Sequence, residues 1–320
     1  MFDFRYHALS LAAVLLALAV GVILGVAIGD SDLVSSAKSG IVHDLKEEVS
    51  GAQRHAGKLS AELSGEQAFA NDLYPIAVHG LLSGQNVGLV FLGSASNRVN
   101  ALVRDAVTQA GGNLATVVAV REPLDLSGIG HAAEGTRYAA LAPAPAPAGG
   151  AATPGGEPAA QGTQGSEASS RLVEHFGSIV AKQLVSGGQN VSRELIGRVR
   201  GRLLTAFDGQ LGRLQGLVVV RNDPVVQTPE QAKASAAFES GFLGGVTTVG
   251  TPIVGVELSS SEPSQVPWYQ GKAISSVDDL DRTAGQAALI YALSGSHGAY
   301  GTKATADSLL PNVVGASPQP

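Results

Sequence analysis

The chain opens with one long unbroken run of apolar residues. Residues 8–28 read ALSLAAVLLALAVGVILGVAI, carry no charge and contain one polar side chain, Ser10. A helix of about 20 such residues rises about 30 Å, which matches the hydrocarbon core of a bilayer. The pattern predicts a transmembrane helix, so that residues 1–29 form a short cytoplasmic end and a membrane anchor.

The charges that flank this run predict its orientation. Arg5 precedes it, whereas Asp30 and Asp32 follow it. Because cytoplasmic flanks carry an excess of Lys and Arg, we expect a single-pass protein with a cytoplasmic N-terminus and all later residues outside. Two alternatives stay open: a cleaved signal peptide, for which residues 27–29 are a tolerable cleavage site, and a buried core helix.

Small residues recur every four positions inside the predicted anchor, at Ala17, Gly21, Gly25 and Gly29. Residues four apart share one face of a helix, and a face of small side chains lets a second backbone approach closely. We predict that this face pairs two copies of the chain in a homodimer. A chance row is the alternative, since glycine is common in membrane helices.

Residues 30–75 follow a heptad pattern. Over about four and a half heptads, only Glu66 interrupts the apolar a and d positions, and a period near 3.5 residues indicates a coiled coil. The predicted seam consists of Val42, Leu45, Val49, Ala52, Ala56, Leu59, Leu63, Ala70 and Leu73. We therefore predict a helical coiled-coil stalk. The alternative is a single amphipathic helix that packs on its own domain.

After Asn71, Asp72 and Pro75, which are expected to end the stalk, short β-branched runs alternate with helical patterns. Strands are predicted at 87–92, 116–120, 217–220, 253–256 and 273–277, and helices at 97–110, 171–185, 191–207 and 281–293, with a further helix beginning at Thr228. Apolar strand runs between helices are typical of a parallel sheet covered on both faces. Residues 76–311 are therefore predicted to form an extracytoplasmic α/β domain with a mostly parallel sheet, followed by a tail at 312–320.

One segment interrupts this alternation. Residues 141–170 are rich in Ala, Pro and Gly and contain almost no side chain that a core could bury. Such a composition predicts a disordered loop inserted into the domain.

Catalytic motifs are missing from the sequence. Residues 93–98, which follow the first predicted strand, have neither dinucleotide-binding nor P-loop spacing, and no carboxylate pair stands out at strand ends. The densest polar segment, 296–307, contains His297, Tyr300, Lys303 and Asp307. We treat it as a possible functional loop in which His297 and Asp307 could exchange protons. The alternative is a tightly bonded loop that closes the edge of the domain, and we predict that the protein is not an enzyme.

The composition argues against a metal cofactor and against nucleic acid as a partner. The chain has no cysteine, its single methionine is Met1, and no two of its seven histidines have metal-ligand spacing. Since copper(I) prefers thiolate or thioether ligands and copper(II) prefers clustered imidazoles, the residues themselves predict no metal site and no cofactor. With a net charge of -6 and no basic stripe, nucleic acid is not an expected partner.

Three segments carry a resemblance to a known family. FRYHALSLAAV at 4–14, HGAYG at 297–301 and ATADSLLP at 304–311 resemble the MctB-type copper transport proteins of the outer membrane in actinobacteria. The resemblance implies a role in copper transport or homeostasis, and it is the only source of copper as a ligand. Family members also resemble SteB, an anchored coiled-coil protein of cell separation. That likeness implies the alternative function, a non-enzymatic scaffold that regulates a peptidoglycan hydrolase or other division machinery.

Overall fold

The computed structural model describes residues 4–28, 31–142, 161–187, 190–222 and 227–312. The chain divides into two compact units, Met1–Ala68 and Phe69–Pro320.

The first unit is helical. Helix α1 (Phe4–Ile28) contains the apolar stretch Tyr6–Ala27, whose side chains are exposed and which is long enough to cross a membrane. Helix α2 (Ser31–Val78) begins here and contributes its last turns to the second unit. One N-terminal apolar helix is therefore confirmed.

The predicted end of the stalk helix at residues 71–75 is wrong. Helix α2 continues through Pro75 to Val78. Tyr74 and Val78 are buried in the core of the second unit, so tertiary packing holds the last turn in a helical conformation despite the proline.

The second unit contains a seven-stranded sheet in the order β3-β2-β1-β4-β5-β6-β7. The strands are β1 (Asn86–Leu92), β2 (Asn113–Val120), β3 (Leu204–Gly209), β4 (Gly216–Arg221), β5 (Ile253–Val256), β6 (Ser275–Val277) and β7 (Ala299–Tyr300). Neighbouring strands are parallel except for β2 and β3, which are antiparallel. The predicted mostly parallel sheet is confirmed.

Helices cover both faces of this sheet. They are α3 (Asn97–Gln109), α4 (Leu126–Ala132), α5 (Gln161–Ser186), α6 (Asn190–Leu203), α7 (Pro229–Val249), α8 (Val266–Gly271) and α9 (Thr283–Leu293), with a 3-10 turn at Arg137–Leu141. Along β1, Leu89 and Phe91 join the core formed with α2, α3 and α9, whereas Val90 and Leu92 join the core formed with α4 to α8. Alternate side chains thus enter opposite layers, as strand geometry requires.

Several local predictions are confirmed by these boundaries. The strands predicted at 87–92, 116–120, 217–220 and 253–256 correspond to β1, β2, β4 and β5. Thr228 caps α7 through a reciprocal pair of hydrogen bonds with Gln231, as the sequence pattern indicated.

Other boundaries are corrected. The helix predicted at 191–207 ends at Leu203, because the chain then turns into the edge strand β3. The strand predicted at 273–277 is shorter, since Ala273 has a φ of 53° and an extended strand cannot include it. Helix α5 begins at Gln161, so the last part of the predicted 141–170 loop is helical; residues 143–160 lie outside the described residues.

Candidate functional site at the carboxyl edge of the sheet

The strand order places a change of direction between β1 and β4. From β1 the chain passes to β2 on one side of the sheet, and it later returns to β4 on the other side. Open α/β sheets bind ligands at the carboxyl ends of the strands at such a point. A cleft of about 320 Å³ lies there, and Ser96, Arg221, Asn222, Glu257 and Gln265 line it.

Arg221, the last residue of β4, is fixed by three neighbours. Its Nε donates to Oε1 of the buried Glu239 at 3.1 Å, and its Nη1 donates to Oε1 of Gln265 at 2.6 Å. The guanidinium also lies 4.8 Å from the centre of the Trp268 ring. A planar guanidinium with two charge-assisted bonds and an aromatic face is held in one orientation.

A second carboxyl group approaches the Arg221–Glu239 pair. Burial and then the nearby charge of Glu239 raise the pKa of Glu122 to about 7. Burial also raises the pKa of Glu239, although Arg221 opposes that effect. The two carboxyls share a hydrogen bond, and like charges in one site cannot both ionise easily. Glu122 therefore keeps its proton at mildly acidic pH and loses it around pH 7, while Glu239 pairs with Arg221.

Glu257 directly follows β5, and its buried carboxylate is fully bonded. Its Oε1 accepts from Lys303 Nζ at 2.6 Å and from Ser264 Oγ at 2.7 Å, and its Oε2 accepts from the Gln265 backbone N–H at 2.5 Å. Lys303 Nζ also donates to the Ser261 carbonyl at 2.6 Å. The negative charge of Glu257 and the positive charge of Lys303 therefore compensate each other inside the protein.

The predicted functional loop is held largely by its backbone. The N–H groups of Thr302 and Lys303 donate to the Asp278 carboxylate, while Asp307 Oδ2 accepts from the Ala299 N–H at 3.0 Å. His297 is exposed. Of the predicted loop residues, Lys303 bonds Glu257 and Ser261, which line the cleft, and Asp307 is held against β7. Proton exchange between His297 and Asp307 stays a prediction.

Tyr300, in β7, is also held at this edge of the sheet. Its carbonyl accepts from the Asp278 N–H at 3.0 Å, and its side chain is buried. Burial and then the charge of Asp307 raise the pKa of its hydroxyl. The backbone N–H groups of Thr302 and Lys303 bind the same residue, Asp278. These contacts agree with the alternative given above, a tightly bonded loop that closes the edge of the domain.

The site residues that sequence reasoning missed stand at strand ends or reach them from the following helices. Arg221 ends β4 and Glu257 directly follows β5, each after an apolar run, and the search for a carboxylate pair at strand ends did not single them out. Glu239 and Gln265 carry no local signal, because they reach the site from α7 and the loop before α8. Within the part of the chain that the structure describes, no group of three or more His, Asp or Glu side chains is placed to hold a metal ion.

The predicted pairing surfaces lie on the first two helices. Ala17 and Gly21 line a shallow groove along α1, and a Cβ added at Gly21 or Gly25 would meet nothing within 4 Å. Gly29 lies outside the described residues.

Of the predicted seam, Leu45, Val49, Leu59 and Leu63 are exposed along α2, and the side chain of Val42 lies outside the described part. Pairing of two copies and a coiled coil stay predictions.

The fold defines a class: a protein with one N-terminal helix able to cross a membrane and a doubly wound α/β domain. Residues 1–311 match the model of the family described as copper transport outer membrane protein, MctB. The chain belongs to this family, as the sequence resemblance predicted.

Two relatives extend the match over nearly the whole chain. The copper transporter MctB of Mycobacterium tuberculosis (strain ATCC 25618 / H37Rv) and that of Mycobacterium bovis are each 26% identical to it over 325 residues. These alignments cover 94% of this chain and 96% of each relative. The family match over residues 1–311 includes the apolar helix as well as the α/β domain.

Proposed function

We propose that this protein serves copper transport or copper homeostasis in the cell envelope, as a non-enzymatic protein anchored by α1. The observation that carries the proposal is the family match across residues 1–311, which joins the apolar helix and the α/β domain in one architecture. The relatives named as copper transporters align over almost their full length, which supports a shared role.

The proposed topology is single-pass, with a cytoplasmic N-terminus and an extracytoplasmic α/β domain. It is supported by the exposed apolar stretch Tyr6–Ala27 and by the position of Arg5 before it and Asp30 after it. Positive residues concentrate on the cytoplasmic side of membrane helices. A reporter enzyme fused after Pro320 should be active only outside the cytoplasm, and cytoplasmic activity would contradict this topology.

In this proposal copper is cargo and not a resident cofactor. The chain has no cysteine and its only methionine is Met1, so it lacks the soft ligands that copper(I) prefers. We therefore expect the protein to act on copper traffic as part of an assembly, with any copper ligands gathered from more than one chain.

The proposed assembly begins with a homodimer. The small-residue face of α1, with Ala17 and Gly21, and the apolar seam of α2, with Leu59 and Leu63, would each pair with the same surface of a second copy. Two copies anchored in one membrane meet at high effective concentration, which favours pairing of both surfaces.

A deletion strain tests the copper role. Loss of the gene should raise copper sensitivity and change cell-associated copper measured by mass spectrometry, and the full-length gene should restore both. A gene that lacks residues 1–29 should fail to restore them although the α/β domain is made. Unchanged copper sensitivity and copper content in the deletion strain would refute the proposal.

A second candidate function is a scaffold that regulates a peptidoglycan hydrolase or other division machinery. The observation that favours it is the row of exposed apolar side chains on α2, which is a surface suited to another helix. The deletion strain would then grow as unseparated chains of cells with normal copper tolerance. Normal separation together with copper sensitivity would exclude this candidate.

A further inference from the structure

A second cavity lies beside the antiparallel edge strand β3, in the layer formed by α5, α6 and α7. Its volume is about 150 Å³, and its wall is largely apolar, with Leu184, Ile196, Phe207 and Phe242. An apolar cavity of about this volume stays dry and accepts a benzene-sized group. The space therefore suits the apolar part of a ligand.

The wall contains one buried polar group with an unused hydrogen-bonding atom. Gln183 is 1% exposed, and its Nε2 donates to the Gly187 carbonyl at 2.8 Å. Because the amide nitrogen must face that carbonyl, the orientation of the side chain is fixed. Its Oε1 accepts no hydrogen bond from any described residue. A buried amide oxygen without a donor is costly, so this atom indicates a ligand with an O–H or N–H group.

Two arginines line the same cavity from α6. Among the described residues, neither Arg193 nor Arg200 forms an ion pair with a carboxylate, whereas Arg198 on the same helix pairs with Glu194. The guanidinium carbon of Arg200 lies 3.9 Å from the centre of the Phe207 ring, which holds the charge beside the cavity. Two such cations at one apolar cavity are complementary to an anionic group.

A glycine leaves an opening between these arginines. Gly197 lines the cavity, and a Cβ added there would meet nothing within 4 Å. Arg193, Gly197 and Arg200 are spaced by four and three residues, so they share one face of α6. A ligand can therefore enter past Gly197 with its charged end between the arginines.

We infer that this cavity binds an anionic amphiphile: a carboxylic acid with a short apolar chain and a hydroxyl or amide N–H. The chain occupies the space beside Phe242, the O–H or N–H donates to Gln183, and Arg193 and Arg200 hold the carboxylate. The polar cleft at the carboxyl edge differs in kind, because the charges of Arg221 and Glu257 are matched there by Glu239 and Lys303.

Photolabelling of the full-length protein tests this assignment. The chain is placed in nanodiscs of phosphatidylcholine and irradiated with an octanoate that carries a diazirine on its alkyl chain, and labelled segments are mapped by mass spectrometry. We expect label within residues 180–211. Unlabelled 3-hydroxyoctanoate should displace the probe at about threefold lower concentration than octanoate, because its hydroxyl can donate to Gln183.

Matched variants show whether the cavity is the binding site. Gly197→Phe should fill the opening and reduce labelling by about tenfold, as should the double change Arg193→Gln and Arg200→Gln. Gly201→Phe is the control, because it is also an exposed glycine of α6 with open space around it but does not line the cavity. It should leave labelling unchanged, and circular dichroism should show all variants folded.

The lipid composition separates a free acid from a phospholipid. Replacing part of the phosphatidylcholine with phosphatidylglycerol should leave labelling unchanged, because the inferred ligand is a short carboxylic acid and not a phosphodiester; lowered labelling would contradict the assignment. Label confined to residues 6–27, equal loss in Gly197→Phe and Gly201→Phe, or equal displacement by octyltrimethylammonium would each overturn the assignment.

Discussion

At the carboxyl edge of the sheet, each of two buried carboxylates has a cationic partner within the chain. Glu239 lies 3.1 Å from Arg221, and Glu257 lies 2.6 Å from Lys303. Helix α2 has the opposite character, since large apolar side chains such as Leu59 (53% exposed) and Leu63 (59% exposed) face outward along it. Exposed apolar rows of this kind mark surfaces that another molecule covers.

This difference separates two kinds of stability. The buried carboxylates Glu239 and Glu257 of the α/β domain find their cations within the same chain, so these two charges need no second copy. In the proposed assembly, lipid covers the apolar face of α1 and a second copy covers that of α2, so both helices gain from association. Substitutions at the sheet edge should therefore change unfolding and leave association intact, while substitutions in α1 and α2 should do the reverse.

The largest effect is expected from breaking the buried ion pair at the cleft. Lys303→Met leaves the Glu257 carboxylate buried without its cation, which should lower the free energy of unfolding by about 3 kcal/mol. Trp268 is the only tryptophan and lies in the α/β domain, so its fluorescence follows unfolding of this domain in the full-length protein. The control is Lys182→Met, which removes a half-buried lysine that forms no ion pair with a described residue, and it should change stability by less than about 0.5 kcal/mol. Equal stability of both variants would show that the Lys303 bond is not structural.

The next effect concerns the seam of α2. Leu59→Glu combined with Leu63→Glu should convert a dimer into a monomer, because each leucine loses about 1.5–3 kcal/mol of apolar burial at a paired interface. Mass photometry of the detergent-solubilised chain measures the oligomeric state. The control replaces Ala61 and Gly65, at outer heptad positions, with glutamate. If the seam variant has the same mass as the control, the coiled coil is refuted. If the seam variant also shifts the unfolding midpoint of the α/β domain, association and domain stability are not separate.

A smaller effect is expected in the membrane helix. Gly21→Leu with Gly25→Leu should weaken pairing of the anchors by about fivefold, close to 1 kcal/mol, because larger side chains keep the backbones apart. A membrane two-hybrid assay with residues 1–29 measures this change. Ala8→Leu with Ala19→Leu adds three carbons at each position on the opposite face of the helix and should keep the wild-type signal. The same signal from both pairs would show that the glycines do not form the contact.

Most of the fold could be predicted from apolar patterning. The runs that became β1, β2, β4 and β5 are continuous and bounded by turn residues, so local sequence and tertiary structure agree. Strand β3 was missed because Leu204–Gly209 directly continues α6 without a helix-ending residue, and pairing with β2 alone makes it a strand. The end of α2 was placed too early because its burial against the domain outweighs the proline.

The candidate site was harder to predict, for a physical reason. Arg221 and Glu257 could be found by noting charged residues directly after buried strands. Their partners Glu239 and Lys303 are 18 and 46 residues away along the chain, and only the tertiary fold brings them together. The search for spaced motifs could not detect pairs of this kind.

The smallest expected effect is a pH-dependent change in the free energy of unfolding, which tests whether Glu122 and Glu239 share a proton. In the folded protein the pKa of Glu122 is about 7, above its ordinary value of 4.5, because of burial and of Glu239. A carboxyl with a raised pKa contributes stability that is complete below pH 4.5 and is lost as pH rises through about 7. Glu122→Gln keeps a neutral hydrogen-bonding group at every pH.

Glu122→Gln should therefore have the same free energy of unfolding as wild type at pH 5 and a higher one, by about 1 kcal/mol, at pH 8. The expected difference is this small because solvent reaches the carboxyl and screens its charge. Urea unfolding followed by Trp268 fluorescence at both pH values measures the difference. Glu134→Gln, an exposed change outside this network, should follow the wild-type pH dependence. A variant that loses stability in parallel with wild type between pH 5 and 8 would show that Glu122 is already ionised in the folded protein, and that this edge of the sheet tolerates two adjacent carboxylates.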